Sequence, residues 1–286
     1  MKNLSILIPT YNDLCVKLVK YLQQQADAIG ISYEIIVADD ASTDEVVKEG
    51  NRVINCLKNC RLVECEHNRG RAAIRNFLVR QSVMDWLLFV DGDMTVCKSD
   101  FLRCYAESEG ADVIDGGLVI GKYISGNLRS LYEKSAEKDH TLEKRQQSPY
   151  LDFHTANFLI RRDLILRHPF DERFRHYGYE DVLLGKDLEQ HHVSILHIYN
   201  PLSFEIFETN EEFVSKTEEG LRTLHRFREE LRGYSRMIAL ADKLPRPLIR
   251  LWHTIFSGIE RRHLTGTHPT LLIFNCYRIG YFLSLD

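Results

Sequence analysis

Two short apolar runs separated by a helical period constrain this chain more than any other feature. Leu4-Ser5-Ile6-Leu7-Ile8 stops at Pro9-Thr10-Tyr11-Asn12, and Glu34-Ile35-Ile36-Val37-Ala38 stops at Asp39-Asp40-Ala41-Ser42-Thr43-Asp44. Between them Cys15, Leu18, Val19, Leu22, Ala26 and Ile29 recur at three- and four-residue spacing, the period of a helix with one apolar face. Strand, helix, strand, with a polar loop after each strand, is the pattern of a parallel sheet with crossover helices. The pattern continues. Arg61-Leu62-Val63-Glu64 reads as a third strand, and Asn68 as the cap of a helix whose core face is Ala73, Ile74, Phe77 and Leu78. The strongest strand, Trp86-Leu87-Leu88-Phe89-Val90, delivers Asp91-Gly92-Asp93 to the sheet's C-terminal edge. Ligands of open α/β sheets bind at that edge, above the strand ends and beside helix N-termini, so three acidic or polar loops converge on one place.

From about Ala111 the period weakens: Gly116-Gly117, Gly121 and Gly126 interrupt it, and the charged stretch from Glu133 to Gln147 reads as loops and a peripheral helix. Order resumes from Phe153 to Ile160, and Tyr177-Gly178-Tyr179-Glu180-Asp181 opens a helix with Val182, Leu183 and Leu184. Beyond Asn200-Pro201 the chain is helical, with a start at Asn210-Glu211-Glu212 and a narrow stripe of Leu248, Leu251, Trp252, Ile255, Phe256 and Ile259. These readings predict a domain over 1–205 and a helical, basic extension over 206–286.

Composition bounds the function. With 286 residues and 44% hydrophobic content the chain can bury a large core, and a formal charge of -4 draws it to no nucleic acid. The average hides an asymmetry: residues 221–286 carry 11 Lys+Arg against 5 Asp+Glu, and residues 1–220 carry 26 against 36. Seven unpatterned cysteines fit a reduced cytosolic protein, and the group Cys56, Cys60, Cys65 and His67 lacks the paired spacing of a zinc knuckle. Pro9 ends the first apolar run too early for a signal-peptide core, and no stretch approaches the roughly 18 apolar residues that span a bilayer. A cytoplasmic location follows as the expectation.

Four groups of side chains carry chemistry, and each has a bland reading. Asp91 and Asp93, one residue apart after a buried strand, suit a hard divalent cation that keeps positions open for phosphate oxygens, although Asp-Gly-Asp is also an ordinary turn. Asp39 and Asp40 suit hydrogen bonds from a base or ribose, or a helix cap. Arg71 and Arg75 lie one helical turn apart near an N-terminus, where guanidinium and helix dipole both favour a diphosphate, or simply sit on a solvated face. Glu180 and Asp181 offer a carboxylate base for a hydroxyl nucleophile, or first-turn residues that complement the dipole.

The four groups occur in a fixed order with the first-strand loop. That order, Ser5 to Asn12, Val37 to Asp44, Asn68-Arg69-Gly70-Arg71 with Arg75, Val90 to Asp93, and Gly178-Tyr179-Glu180-Asp181, closely resembles glycosyltransferase family 2 over roughly residues 4–200. The resemblance implies an α/β GT-A fold with a mainly parallel Rossmann-like sheet. It implies a metal-dependent inverting transfer of a sugar from a nucleotide-diphosphate donor, with uridine as the expected base, to an acceptor hydroxyl in polysaccharide or glycolipid assembly. Pro9, Thr10, Tyr11 and Asn12 match the loop against the nucleotide, Asp39 and Asp40 the pair on uracil and ribose, and Arg71 and Arg75 the basic helix start beside the donor. Asp91, Gly92 and Asp93 match the metal-binding turn, with Asp93 the direct ligand of manganese or magnesium; Asp181 matches the catalytic base with Glu180 beside it positioning the acceptor, and Asn157 and Tyr179 fall on the acceptor side.

Two positions depart from the family pattern. Ala41 stands where relatives commonly have glycine, and Phe204-Glu205 stands where a histidine commonly follows an Asn-Pro such as Asn200-Pro201, which leaves Glu205 or no residue for that contact. Two rivals follow from the same residues: a haloacid-dehalogenase-type phosphatase with Asp91 as nucleophile, and a nucleotide-sugar binding protein without catalysis. A dinucleotide-binding dehydrogenase fails because no G-x-G-x-x-G follows the first strand. The acceptor is expected to be a saccharide or lipid-linked. The stripe of the tail with Arg246, Arg250, Arg261 and Arg262, and the cluster Leu271 to Phe274 with Tyr277, Tyr281 and Phe282, suit packing on the protein or a second subunit, or contact through 246–286 with the inner face of the cell membrane.

Overall fold

The computed structural model describes residues 1–286. In chain order the elements are β1 (Asn3–Thr10), α1 (Val16–Ile29), β2 (Ser32–Asp39), α2 (Glu45–Asn51), β3 (Cys60–Glu64), α3 (Arg71–Gln81), β4 (Trp86–Val90), β5 (Met94–Val96), α4 (Phe101–Glu107), β6 (Val113–Asp115) and β7 (Leu118–Ile120). There follow α5 (Leu128–Ala136), α6 (Leu142–Gln147), β8 (Asn157–Arg161), α7 (Arg162–Arg167), α8 (Glu180–Gln190), β9 (Ile195–His197) and β10 (Leu202–Phe204). The last four helices are α9 (Asn210–Arg226), α10 (Arg236–Ala241), α11 (Arg246–Leu264) and α12 (Leu271–Ser284). Two units divide the chain: Met1–Gly121, His140–Arg175 and Glu180–Glu205 form the first, and Lys122–Asp139, His176–Tyr179 and Ile206–Asp286 the second. The tail is therefore joined by 122–139 and 176–179, which sequence periodicity assigned to the preceding domain.

The first unit is an α/β layer with a seven-stranded sheet in the order β3-β2-β1-β4-β8-β6-β9. The pairs β1–β2, β1–β4, β2–β3 and β6–β9 are parallel, and β8 runs antiparallel to both β4 and β6. The chain steps outward from β1 to β2 and β3, then returns to the other side of β1 as β4. That reversal is the switch point where open sheets leave a crevice at the strands' C-terminal ends. Leu4, Ile6, Leu7, Ile8, Ile35, Ile36 and Leu87 to Val90 are fully buried, as strands covered by helices require. Phe89 and Phe158 stack at 4.7 Å across β4 and β8, with Phe170 edge-on to Phe89 at 5.9 Å. A smaller sheet, β5-β10-β7, stands beside it with β10 antiparallel to β5.

α3 differs from its expected form. Gly70, at φ 83, is its N-cap, so Asn68 does not cap it; the Asn68 amide instead donates to the Asp40 carbonyl at 3.0 Å. A side chain at residue 70 would meet the Arg175 carbonyl oxygen at 2.5 Å, and the left-handed backbone makes glycine the fitting residue there. The buried face of α3 includes Ala72, Ile74, Leu78 and Val79 together with Arg75 and Asn76, while Ala73 and Phe77 are half-exposed. Asn76 is satisfied by the backbone of Phe170, donating to its carbonyl at 2.8 Å and accepting from its N–H at 3.0 Å.

The second unit has its own core, in which Leu128 of α5 packs with Phe213 and Val214 of α9, Leu264 of α11, and Phe274 and Tyr277 of α12. Helix α9 opens on a reciprocal cap between Thr209 and Glu212, which satisfies N–H groups the first turn leaves unpaired. Asn127 caps α5, and the Arg129 guanidinium meets Glu208 at 2.7 Å. The 176–179 turn is held to α9 by Glu219, which lies 3.1 Å from His176 Nδ1.

Candidate active site

Two loops leave the sheet side by side because β1 and β2 pair in register up to Thr10 opposite Asp39. Asn12, left-handed at φ 60, accepts from the N–H groups of Thr43 at 2.8 Å and Asp44 at 3.0 Å, and its own N–H donates to Ser42 Oγ at 2.7 Å. Ser42 in turn donates its N–H at 2.9 Å and its hydroxyl at 2.5 Å to Asp39 Oδ1. Asp40 reaches the third loop, accepting from the N–H groups of Arg69 at 2.7 Å and Gly70 at 3.0 Å, and burial pushes its carboxyl above the ordinary value despite these donors. Both acids are almost completely covered, so side-chain groups expected on a base and ribose knit the loops together. Tyr11, by contrast, is exposed. Ala41 lies at φ 62, the left-handed region that explains why glycine suits this turn.

The β4 end is built against the first loop. Gly92 donates its N–H to the Pro9 carbonyl at 3.2 Å, and a side chain there would meet Cys15 Sγ at 2.9 Å and Thr10 at 3.1 Å. The Cys15 thiol is buried, which pushes it up to about 12, and it donates to Thr10 Oγ1 at 3.3 Å. Asp91 is paired twice: Arg75 donates to its Oδ1 at 2.7 Å, and Arg71 lies 3.5 Å from its Oδ2. Both arginines also grip Glu180, Arg71 Nε at 2.6 Å and Arg75 at 3.3 Å. Arg75 is 1% exposed and Glu180 3%, so neither stands on the solvated or acceptor-facing surface expected of it. The buried Arg75 and the partly exposed Arg71 compensate two buried carboxylates, and removing Arg75 would strand buried charge. Arg71 is the member of the quartet with an exposed side chain.

Glu180 is tied to residues more than a hundred positions earlier, and this brings the start of α8 to the strand-end turn. Asp181, next in the chain, is half-buried with its Oδ2 3.9 Å from His154 Nδ1. Burial opposes the charged form of each. The pairing nevertheless holds the Asp181 carboxyl below the usual range, aided by Arg71, and pushes His154 up, aided by Asp115 and Asp152. α8 is anchored at its other end, where Asp187 lies 2.7 Å from His168 Nδ1 and 3.3 Å from His191 Nδ1.

His154 was not legible as a site residue. Its backbone N–H donates to Asp115 Oδ2 at 3.0 Å, and the buried Asp115 pairs with Arg145 of α6 at 2.8 Å. Arg145 also lies 3.1 Å from His197 Nδ1, which leaves Nε2 to donate to the Pro149 carbonyl at 2.9 Å and fixes a neutral tautomer; burial lowers the His197 pKa in agreement. Asp115-Gly116-Gly117 at a strand end was the available signal.

Asn157 is not on an open acceptor side. It is buried, accepts from Tyr105 at 2.7 Å, and donates to the carbonyls of Gly117 at 2.7 Å and Asn200 at 2.9 Å, which makes it a brace between strands. Tyr179, left-handed at φ 71, belongs to the second unit. Phe204 pairs with Met94 across β10 and β5, so Glu205 and Asp93 leave that ladder at the same end. Glu205 is exposed and accepts from Ser203 Oγ at 3.1 Å, while Phe204 is buried.

A family model described as Glycosyl transferase family 2 matches residues 5–168, more than half of the chain. An uncharacterized glycosyltransferase of Haemophilus influenzae is 36% identical over 94 residues, covering 32% of this chain and 29% of that protein. The poly(ribitol-phosphate) β-N-acetylglucosaminyltransferase TarS of Staphylococcus aureus is 27% identical over 152 residues, 51% of this chain and 26% of TarS, so the chain spans about a third or less of these relatives' length. Among solved structures, TarS 1–349 in complex with UDP-GlcNAc superposes with a TM-score of 0.52 at 16% identity, over 100% of this chain and 91% of that one. The mannosyltransferase PcManGT of Pyrobaculum calidifontis, in complex with GDP-Man and Mn2+, gives 0.53 at 14% identity over 98% and 84%. At that identity the likeness shows the fold alone, the GT-A fold. With that fold, and with the family's model matching most of the sheet and its loops, the chain belongs to glycosyl transferase family 2.

Proposed function

We propose that the chain transfers a sugar from a UDP-sugar to an acceptor hydroxyl with inversion, and that Asp181 is the base. The observation that carries this reading is the link from Glu180 through Arg71 and Arg75 to Asp91, which brings the start of α8, where Asp181 follows Glu180, to the strand-end turn. In one displacement the acceptor oxygen bonds to the anomeric carbon, the bond from that carbon to the diphosphate oxygen breaks, and the acceptor proton passes to Asp181. Base and leaving group lie on opposite faces of the sugar, which gives inversion. Arg71, partly exposed, sets positive charge near the departing diphosphate. Tyr11 offers an exposed ring to the base. Asp39, Asp40, Thr10 and Asn12 shape the loop that receives it, and Arg75 positions Asp91 and Glu180.

The donor set fits a hard divalent cation unevenly. Both oxygens of Asp91 face guanidinium groups, so Asp91 suits a supporting role, whereas Asp93 suits direct ligation with phosphate oxygens completing the shell. Glu205 is the residue of the altered segment that suits a further oxygen ligand, since it leaves the β5–β10 ladder at the end where Asp93 does. Manganese or magnesium bound there supplies charge neutralisation for the diphosphate. A phosphatase with Asp91 as nucleophile is disfavoured by the same two arginines. A saccharide or lipid-linked acceptor, in polysaccharide or glycolipid assembly, completes the reading.

Calorimetric titration tests the donor part without turnover. UDP should bind at least roughly tenfold more tightly with Mn2+ than without, and Asp93→Ala should remove that difference. Equal affinity with and without the metal, or preference for GDP, would contradict it.

A further inference from the structure

Helix α11 turns its apolar side outward. It buries His253, Glu260 and Leu264, while Leu248, Leu251, Trp252, Ile255 and Ile259 are 51–67% exposed. Those five positions repeat at three- and four-residue steps and form one stripe. A helix that serves only its own protein hides such a stripe; this one hides a histidine and a glutamate, so the expected packing of the stripe on the chain's own core does not occur. Helix α12 adds Leu272, 76% exposed.

The two helices themselves carry charge of nearly one sign. From 243 to 285 there are six Lys+Arg and a single carboxylate, Glu260, which is buried and accepts from the Trp252 indole N–H at 2.9 Å. Arg246 is held by Asp242 at 3.0 Å, Arg250 by the Leu283 carbonyl at 2.8 Å, and Arg261 by Glu211 at 2.6 Å. Lys243 and Arg262, before and near the end of the helix, are exposed. The helix thus combines a continuous apolar stripe, an indole packed on Phe256 at 4.2 Å, cations at both ends and no exposed carboxylate of its own, while Asp242 and Glu211 beside it are taken up by Arg246 and Arg261.

We propose that α11 docks flat on the surface of an anionic lipid bilayer. Its stripe enters the boundary between headgroups and acyl chains, and Lys243 and Arg262 lie among the headgroup phosphates. No helix is long and apolar enough to cross a membrane, so the contact is one of lying on the surface. A second copy of the chain is the poorer occupant. An antiparallel two-fold pairing of α11 faces sets Lys243 of one copy against Arg262 of the other, and the neighbouring Asp242 is already shared among Arg228, Arg232 and Arg246.

Flotation of the full chain with vesicles tests this docking. The protein should float with phosphatidylcholine vesicles containing about 30% phosphatidylglycerol and far less with phosphatidylcholine alone. With Trp86→Phe leaving Trp252 as the reporter, its emission should shift to the blue on binding. Because both positions are exposed, Ile255→Glu with Ile259→Glu should keep the far-ultraviolet circular dichroism of the parent and weaken vesicle binding by roughly tenfold or more. Donor hydrolysis in solution should not change. Failure to float with the anionic vesicles at low salt would overturn the proposal, as would equal flotation of the double variant. So would light scattering that shows a dimer which the double variant splits into monomers.

Discussion

His154 Nδ1 and the Asp181 carboxylate, 3.9 Å apart, form the pair on which the proposed chemistry turns. Asp181's depressed pKa stabilises the fold above the ordinary aspartate value, and that contribution is lost as pH falls through the folded value. His154's raised pKa stabilises it below the ordinary histidine value, and that contribution is lost as pH rises through the folded value. The pair therefore helps most between the two. For catalysis the consequence has one sign. In His154→Gln the charge and hydrogen-bonding partner that hold Asp181 down are gone, burial acts on it with less opposition, and its pKa rises. The acid limb of the kcat/KM profile should move to higher pH in that variant, and a limb that stays where the parent has it would contradict the assignment of Asp181 as base. At this scale the sequence pointed to residue types and their order but not to orientation. Arg75 lies four residues after Arg71, which reads as a solvated helical face, yet it is buried because Asp91 and Glu180 arrive from elsewhere in the chain. Asn157 misled for the same reason: its partners, Tyr105, Gly117 and Asn200, lie 40 or more positions away in sequence.

Elements place these residues, and short ones were the hardest to see. β1, β2 and β4 are long enough for their apolar runs to be legible, as is the crossover helix α1 between the first two. β6, β7, β9 and β10 have three residues each, too few for any period to show, and they carry Asp115, His197 and Phe204. The turn after β2 offers a test of how local conformation sets local cost. Ala41 at φ 62 bears the strain of a side chain in left-handed backbone, which Gly avoids at the expense of a freer unfolded chain. Ala41→Gly should therefore stabilise the protein by about 0.5 kcal/mol, read as a higher midpoint in chemical denaturation at unchanged slope. A lower midpoint would show that the turn does not rest on that backbone state.

The division of the whole molecule follows from which segments share a core. Leu128 of α5 is fully buried in the cluster with Phe213, Val214, Leu264, Phe274 and Tyr277, all of which lie beyond residue 206. A fragment of residues 1–205 keeps α5 but loses every one of those partners. Hydrogen exchange in that fragment should show α5 unprotected while β1, β2 and β4 stay protected, and full protection of α5 would contradict the division. The acidic charge of the chain has also found structural tasks: Asp40 clamps a loop, and Asp91 and Glu180 answer two arginines. Turnover at this assembled edge is what the proposed function requires. Release of UDP from UDP-sugars in the presence of Mn2+ is its most direct measure, compared between the parent chain and Asp181→Asn. The parent should release UDP, and the variant should lose roughly a hundredfold or more of that rate with UDP still bound. Release that is undiminished in Asp181→Asn would contradict the proposed function.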